Sequence, residues 1–192
     1  MQAQRSVGHQ TSQEMKLQIV SPQQIKSFIA DTAEAYQVAY EYRFGKIDSN
    51  CVSKREIDYT CSKRHCLFFE VVEGEERLGG TILALLRNGK RVNIYFMFTK
   101  PEHQNEGVAT FLWNELAEFL PGVRTWSAGA EYFAVPAIHF LLNKCHFKII
   151  EFTNSLNEPE HYSKHEVTDP WTDGFFHFVK RSSRSPVGAS QS

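Results

Sequence analysis

The amino-acid sequence predicts a single α/β domain built around three consecutive antiparallel strands. Two observations carry this prediction. Three runs rich in apolar and β-branched residues, separated by turn signals, lie between residues 66 and 99. Segments with apolar residues at helical spacing precede and follow these runs. The length of 192 residues suits one domain with a full hydrophobic core.

Charge and composition exclude several kinds of function. The chain has 21 Lys and Arg against 22 Asp and Glu, so it lacks the positive excess that binding to nucleic acid or an anionic membrane requires. No stretch of about 18 uncharged apolar residues and no apolar secretory signal is present, and we expect a cytoplasmic protein. The cysteines form no Cys-x-x-Cys pair and are expected to be reduced thiols: Cys51, Cys61, Cys66 and Cys145.

Both ends of the chain have the composition of disordered tails. Residues 1–14 and 181–192 are rich in Gln and Ser and contain few large apolar groups. We therefore expect the folded domain to span residues 15–180.

The first half of this domain is predicted to contain one helix and then the three strands. After a short apolar run at residues 17–20, Ser21 and Pro22 begin a helix whose apolar residues recur at i, i+3 and i+4 until near Gly45. The polar residues 46–65 carry no clear pattern. The turn signals at residues 73–76 and at Asn88-Gly89 separate strands at residues 66–72, 77–86 and 91–99.

The second half alternates predicted helices with short strands. Apolar residues at helical spacing from Val108 to Leu120 predict a helix that ends at Pro121-Gly122. A second helix has Pro136 in its first turn and continues to about Lys144. The remaining strands are predicted at residues 123–128, 147–152 and 175–179.

The connection between the third strand and the next helix is the clearest candidate binding site. Thr99 ends the strand and the helix begins near Gly107, so free backbone N–H groups and the positive end of the helix dipole converge there. Gly107 and Ala109 allow ligand oxygens to approach the backbone, and Gln104 adds a neutral donor. This arrangement favours a pyrophosphate, although a glycine at a helix start also occurs for packing alone.

The same segment resembles a motif of the GNAT family of N-acetyltransferases. Its residues 104–109, Gln-Asn-Glu-Gly-Val-Ala, are similar to the Gln/Arg-x-x-Gly-x-Gly/Ala pattern that follows a strand in this family. A second family motif, Ala-Ile followed by Lys-x-Gly-Phe, resembles Ala137-Ile138 and residues 144–147, with His146 at the usual glycine. The resemblance covers residues 66–153.

The resemblance implies both a fold and a cofactor. The fold is a mixed, mostly antiparallel sheet of six or seven strands with helices on both faces, splayed at its centre to admit acetyl-CoA. Met97, Phe98 and Thr99 would contact the pantetheine, and the Met97 N–H would polarise the thioester carbonyl. The phosphate cradle would consist of Gln104, Asn105, Glu106, Gly107, Val108, Ala109 and Thr110.

The third strand is expected to have one face in the core and one face toward the site. Its residues alternate in polarity and size. The predicted core set is Val92, Ile94, Phe96 and Phe98, and the set facing the site is Asn93, Tyr95, Met97 and Thr99.

The groups that family members commonly use for proton transfer are absent from the matching positions. The usual strand carboxylate corresponds to Tyr95 and Phe96. The usual tyrosine of the later helix corresponds to Leu142, and an asparagine at the start of that helix corresponds to Ala134. A general acid and base must therefore come from other residues.

Three residues are candidates for these catalytic roles. Tyr95 is the candidate acid toward the leaving thiolate, and Glu131 and Tyr132 follow the strand at residues 123–128. Two of them have a structural alternative: Tyr95 as a cross-strand aromatic, and Glu131 as a helix cap or a solvated side chain. Five residues of the first helix are candidates to line the acceptor groove, and core packing is their structural alternative. They are Glu34, Tyr36, Tyr40, Glu41 and Tyr42.

No metal is expected. The group Cys61, His65 and Cys66 lacks a fourth ligand, and His161 with His165 lies in a polar loop without a third.

We expect direct acetyl transfer to a primary amine. A small molecule is favoured over a protein because no charged patch for a macromolecule is evident, and the family resemblance is compatible with a homodimer. Two alternatives from other classes stay open, namely a non-catalytic acyl-CoA-binding or sensor module and a nucleotide-binding domain that uses the same loop.

Overall fold

The computed structural model describes residues 14–46, 52–154 and 174–182. Within these ranges the strands are Met15–Ile19 (β1), Leu67–Glu73 (β2), Glu76–Leu86 (β3), Arg91–Thr99 (β4), Thr125–Glu131 (β5), Lys148–Thr153 (β6) and Phe175–Arg181 (β7). The α-helices are Ile25–Phe44 (α1), Lys54–Arg64 (α2), Val108–Phe119 (α3) and Val135–His139 (α4). The predicted tails lie outside the described residues except at their inner ends, where Arg181 closes β7.

The seven strands described form one sheet in the order β1-β2-β3-β4-β5-β7-β6. Every neighbouring pair is antiparallel except β4 and β5, which are parallel. This confirms the predicted mixed, mostly antiparallel sheet. Besides the six strands predicted individually, the sheet contains β1, which includes most of the short apolar run at residues 17–20. This strand pairs with β2 at the edge of the sheet.

Helices cover both faces of this sheet, as predicted. Ile82 packs with α1 and α2 in one apolar cluster, whereas its neighbour Leu83 packs with α3 in another. Successive side chains of a strand point to opposite faces, so these two clusters lie on opposite sides of the sheet. None of the helices in the described part of the chain is long and apolar enough to cross a lipid bilayer.

Helix α2 occupies the polar segment for which no structure was predicted. Its N-terminus carries a capping box, in which the Ser53 hydroxyl accepts from the Glu56 N–H and the Glu56 carboxylate accepts from the Ser53 N–H. Ile57 is fully buried and attaches the helix to α1. The charged residues in the first half of the helix, Lys54, Arg55, Glu56 and Asp58, are exposed at the surface.

Helix α4 has Pro136 in its first turn, as predicted, but its last turn is wider than an α-helical turn. The N–H of Cys145 donates to the Phe140 carbonyl at 3.0 Å, which is the i→i+5 bond of a π-helical turn over Phe140–Lys144. Cys145 is completely buried, and burial raises the pKa of its thiol to about 12 while the Lys180 ammonium lowers it. This supports a structural role for the thiol.

The predicted alternation along β4 is wrong after Ile94. Leu83 of β3 pairs with Ile94, but the adjacent Ile82 pairs with Phe96, so two residues of β3 face three residues of β4. Tyr95 is the extra residue of a β-bulge. A bulge of this kind depends on the partner strand and has no signature in the β4 sequence itself.

The bulge moves the predicted core residues of β4 to opposite faces. Val92 and Ile94 pack on the side of α3, whereas Phe96 and Phe98 pack on the side of α1 and α2. Met97 packs on the α3 side, although it was predicted to face away from the core set. Both faces of the C-terminal half of β4 are therefore in contact with a helical layer.

Strands β4 and β5 separate soon after they begin. They pair only from Arg91 with Thr125 to Asn93 with Ser127. Beyond this point β4 continues to pair with β3, and β5 continues to pair with β7. A wedge-shaped opening, bounded by residues 94–99 of β4 and 128–131 of β5, therefore lies at the centre of the sheet.

An ionic cluster attaches the N-terminal half of α1 to the β3 side of this opening. Arg77 on β3 contacts Glu70 of β2 and Asp31 of α1, each at 2.6 Å. Glu70 is 1% exposed, and its second oxygen accepts from the Gln18 amide at 2.8 Å. The guanidinium also lies 5.2 Å from the ring centre of Phe28, the fully buried anchor of α1.

Candidate active site

The loop after β4 presents unpaired backbone donors at the start of α3. A short 3₁₀ turn, Pro101–His103, follows Thr99, and the chain then passes through Asn105 and Gly107 with φ of 68° and 84°. In the described part of the chain, no backbone carbonyl accepts from the N–H groups of residues 105–110. These groups and the α3 dipole form an anion-binding concavity.

The side chains of the predicted phosphate cradle leave this concavity open. Gln104, Asn105, Glu106 and Thr110 are exposed, and no atom lies within 4 Å of the position that a Gly107 Cβ would take. Val108 is 1% exposed and anchors the loop in the core, so only its backbone is available to a ligand. The cradle is therefore built chiefly from the backbone.

His103 holds the acidic side chain of this loop. Its Nδ1 lies 2.9 Å from a Glu106 carboxylate oxygen, and its Nε2 lies 3.1 Å from Glu76 at the start of β3. Burial lowers the pKa of His103, but the hydrogen bonds to Glu106 and Glu76 outweigh it and the net shift is upward. When His103 is protonated, its positive charge offsets the charge of Glu106 beside the concavity. His103 was not predicted from the sequence, and its spacing to Glu106 was the available signal.

The edge of β4 that faces the opening carries backbone groups that have no partner in residues 14–46, 52–154 and 174–182. The N–H of Lys100 donates to the Leu78 carbonyl at 2.8 Å, and the two residues are directly opposite in the ladder. Because hydrogen-bonded positions alternate along an antiparallel pair, Phe98 is bonded to β3, whereas the backbone groups of Met97 and Thr99 point away from β3 toward the opening. Met97, Phe98 and Thr99 were predicted to contact the pantetheine. The backbone groups of Phe98 face β3 instead of the opening.

Tyr95 lies at the bulge, where β4 begins to separate from β5. Its hydroxyl is buried and has no hydrogen-bond partner among the described residues. Buried hydroxyl groups in proteins are normally paired, so this hydroxyl has the capacity to donate to a ligand group that reaches it.

Glu131 ends the β5 side of the same opening. It is directly opposite Phe175 of β7 and, by strand alternation, shares the α1 face of the sheet with Ser127 and Gly129. The ring of Phe175 lies over Gly129 so closely that a Cβ there would be 2.2 Å from it. Burial raises the pKa of the Glu131 carboxyl, and a hydrogen bond from its own backbone N–H opposes this in part.

Tyr132 is fixed by its backbone, whose N–H donates to the Gly174 carbonyl at 2.9 Å. Its ring packs edge-on against Phe133 at 5.7 Å between ring centres. Tyr95 and Glu131 thus lie on the two sides of one opening, and Tyr132 follows directly on the β5 side.

The α1 residues proposed for the acceptor groove divide into two groups. Tyr36 and Tyr40 are half-buried and pack toward the sheet, whereas Glu34 and Tyr42 are exposed, Tyr42 to 94%. Glu41 accepts a hydrogen bond from the Gln37 amide at 2.7 Å. Two further aromatic residues at the same place, Phe44 and Phe133, were missed because neither belongs to a recognisable motif.

The cysteine and histidine clusters show no metal-binding arrangement in the described residues, where no three potential ligands lie close together. Cys61, Cys66 and Cys145 are free thiols, and a hydrogen bond with Cys66 raises the pKa of Cys61. Cys51, His161 and His165 lie outside the described residues.

The fold and the open sheet agree with a family comparison. The sequence pattern of the Acetyltransferase (GNAT) family matches residues 29–147, which is more than half of the 192-residue chain. The chain therefore belongs to the GNAT acetyltransferase family, and it is an N-acetyltransferase by class.

Three proteins with a similar sequence or fold each share less than a quarter of their residues with this chain. The chain is 22% identical over 169 residues to "Uncharacterized protein YrkN" of Bacillus subtilis, covering 85% of this chain and 91% of that protein. The ribosomal-protein-S18-alanine N-acetyltransferase of Escherichia coli has the same fold, with a TM-score of 0.61 at 13% identity over 93% of this chain and 99% of that one. The PaiA N-acetyltransferase of Thermoplasma acidophilum, solved with coenzyme A, gives 0.60 at 15% identity, covering 88% and 99%.

Replacing Gly107 tests the anion-binding loop. The substitution Gly107→Glu places a carboxylate beside the free N–H groups, and we expect the affinity for acetyl-CoA to fall by about 100-fold or more in calorimetric titration. Gly89→Glu is the matched control, since Gly89 also has a positive φ, 77°, and open space around its Cβ position, but lies in the β3–β4 turn. Equal affinities of the two folded variants would contradict the assignment of the loop.

Glu131 should make stability depend on pH in a defined direction. Because its pKa in the native state lies above the ordinary 4.5, the native protein binds this proton more tightly than the unfolded chain does. The free energy of unfolding contributed by this group should therefore decrease as pH rises from 4.5 through the native pKa.

The free energy of unfolding, measured with urea across this pH range, should decrease less with rising pH in Glu131→Gln than in the wild-type protein. Glu115→Gln, at an exposed position of α3, controls for the loss of one surface carboxylate. Identical pH profiles for Glu131→Gln and the wild-type protein would show that Glu131 is not the group responsible.

Proposed function

We propose that the protein transfers the acetyl group of acetyl-CoA directly to a primary amine of a small molecule in the cytoplasm. The observation that carries this proposal is the opening between β4 and β5, with free strand-edge groups at Met97 and Thr99. The loop of unpaired N–H groups follows directly on this strand edge. An extended pantetheine can pair with the strand edge while its pyrophosphate binds the loop.

The residues around the opening support a one-step transfer. Glu131 accepts a proton from the bound ammonium, because only the neutral amine is nucleophilic. The amine nitrogen then bonds to the thioester carbonyl carbon while the Met97 N–H donates to the carbonyl oxygen. As the carbon–sulfur bond breaks, the Tyr95 hydroxyl gives its proton to the thiolate.

The protons balance in this scheme. The nitrogen loses two protons in total, the first to Glu131 and the second on collapse of the tetrahedral intermediate. The second proton restores the Tyr95 hydroxyl, and Glu131 releases the first to solvent. The products are the acetylated amine and CoA with its thiol protonated.

A non-catalytic acyl-CoA-binding module is the second candidate function. The observation that favours it is the composition of the site, in which Tyr95 and Phe96 take the place of the usual strand carboxylate and Leu142 that of the usual helix tyrosine. Such a module would use the same loop and strand edge. It differs from the transferase only in its lack of turnover.

The first test of the cofactor assignment measures the shift in unfolding temperature with acetyl-CoA, CoA and ATP, each added separately. A ligand at about 100 times its dissociation constant stabilises by about 2.7 kcal/mol, or roughly 5 to 10 °C for a domain of this size. We expect this shift with acetyl-CoA and CoA and a much smaller one with ATP. Equal shifts with ATP would favour a nucleotide-binding domain, and no shift with any of the three would refute the transferase.

The substitution Tyr95→Phe tests the proposed acid. It removes a hydroxyl that has no protein partner in the described residues, so we expect unchanged stability and unchanged acetyl-CoA affinity. The kcat for thiol release should fall by about 100-fold, the lower end of what a positioned acid contributes. Tyr42→Phe, at a fully solvated position of α1, is the control. An unchanged kcat in Tyr95→Phe would exclude the acid role.

A further inference from the structure

Three aromatic side chains form a stripe along the side of α1 that faces the sheet. Tyr36, Tyr40 and Phe44 are four residues apart and so lie on one helix face. The Tyr36 ring packs edge-on against Phe96 of β4, with ring centres 5.7 Å apart. The Tyr40 and Phe44 rings pack against Phe133, at 5.6 and 4.9 Å. The stripe therefore spans the opening from the β4 side to the segment after β5.

The stripe is not sealed from solvent. Phe44 is 37% exposed, and Tyr40 and Phe133 are half-buried although each ring contacts at least two others. Aromatic rings that remain accessible beside a cleft gain free energy when an apolar ligand covers them. Their ring faces also attract a cation electrostatically.

A carboxylate lies at the end of β5, on the face of the sheet that α1 covers. Glu131 is two residues before Phe133 and is partly accessible to solvent. Among the described residues, no Lys, Arg or His side chain forms an ion pair with it. A carboxylate that is largely surrounded by protein is stabilised when a cation binds next to it.

The cation–ring contacts found in the described ranges involve Phe28 and Trp113, which both lie elsewhere in the core. A ligand that carries its own carboxylate or phosphate next to the amine would bring a second negative charge close to Glu131. The chemistry of this surface therefore suits one positive charge attached to an apolar body.

We propose that the acceptor is a primary amine carried on an apolar body the size of a ring, bound as ammonium against Glu131 with the body covering Tyr40, Phe44 and Phe133. This inference rests on the proposed transferase activity and adds the chemical class of the acceptor. The body lies on the α1 side of the sheet, and the amine reaches the opening between β4 and β5.

A set of four amines tests this class. We expect thiol release from acetyl-CoA with 2-phenylethylamine at a kcat/KM at least about 100-fold above the values for phenylalanine, glucosamine and putrescine, a difference of about 2.7 kcal/mol. Phenylalanine adds only a carboxylate to the preferred amine, while glucosamine and putrescine lack an apolar ring. Similar kcat/KM values across the set, or a preference for one of the polar amines, would overturn the inference.

Substitutions of Phe133 test whether the rings hold the acceptor. Phe133→Leu keeps an apolar side chain but removes the ring, and we expect the KM for 2-phenylethylamine to rise by about 10-fold with little change in kcat. Phe133→Tyr keeps the ring and should restore the wild-type KM. Tyr42→Leu, on the solvent side of α1, is the control. A wild-type KM in folded Phe133→Leu would remove the rings from the acceptor site.

The failure of this inference can be distinguished from the failure of the proposed function. Thermal stabilisation by acetyl-CoA together with turnover of polar amines only would leave the transferase intact and refute the aromatic acceptor site. Stabilisation by acetyl-CoA with no turnover of any amine would refute both and support the non-catalytic module. No stabilisation by acetyl-CoA would refute the cofactor assignment itself.

Discussion

The separation of β4 from β5 is the constraint on which the rest of the structure depends. The two strands are parallel neighbours for only three residue pairs, and the bulge at Tyr95 turns β4 away from β5 just beyond them. A continuous sheet would have used the backbone groups of Met97 and Thr99 in its own hydrogen bonds. Because the strands separate, these groups stay available to a ligand, and the next residues form the loop that leads into α3. The opening and the anion-binding loop are thus two results of one break in the sheet.

The two sides of this opening are built in different ways. On the β4 side the ligand-facing groups belong to the backbone, namely a strand edge and the N–H groups of residues 105–110. On the β5 side the proposed ligand-facing groups are the side chains of Glu131 and Phe133, and the Phe133 ring packs against the aromatic residues of α1. Helix α1 joins the two sides, because Arg77 attaches its N-terminal half to β2 and β3 while Phe44 contacts Phe133 at its other end. The position of the proposed acceptor side chains relative to the β4 edge therefore depends on this one helix.

The parts of the site that depend on local sequence could be predicted from it. The parts that depend on how one strand pairs with another could not. The loop at residues 104–110 was found because a glycine between a strand and a helix has a local meaning, and Pro136 marked the start of α4 for the same reason. The bulge at Tyr95 arises only from the register of β3 against β4, so the simple alternation predicted for β4 failed there. Helix α2 was missed in a polar segment, although Ser53 and Glu56 carry the pattern of a capping box.

The loop before α3 offers backbone N–H groups to a ligand, and this has a consequence for sequence divergence. A backbone donor survives most side-chain substitutions, so selection for such a site acts on loop conformation more than on residue type. Within the loop, Asn105 and Gly107 have positive φ angles and Val108 is buried, so these three residues have steric reasons for their identity. The same architecture can therefore persist at the 13% and 15% identities found with solved acetyltransferases, while the side chains around the acceptor drift to fit new amines.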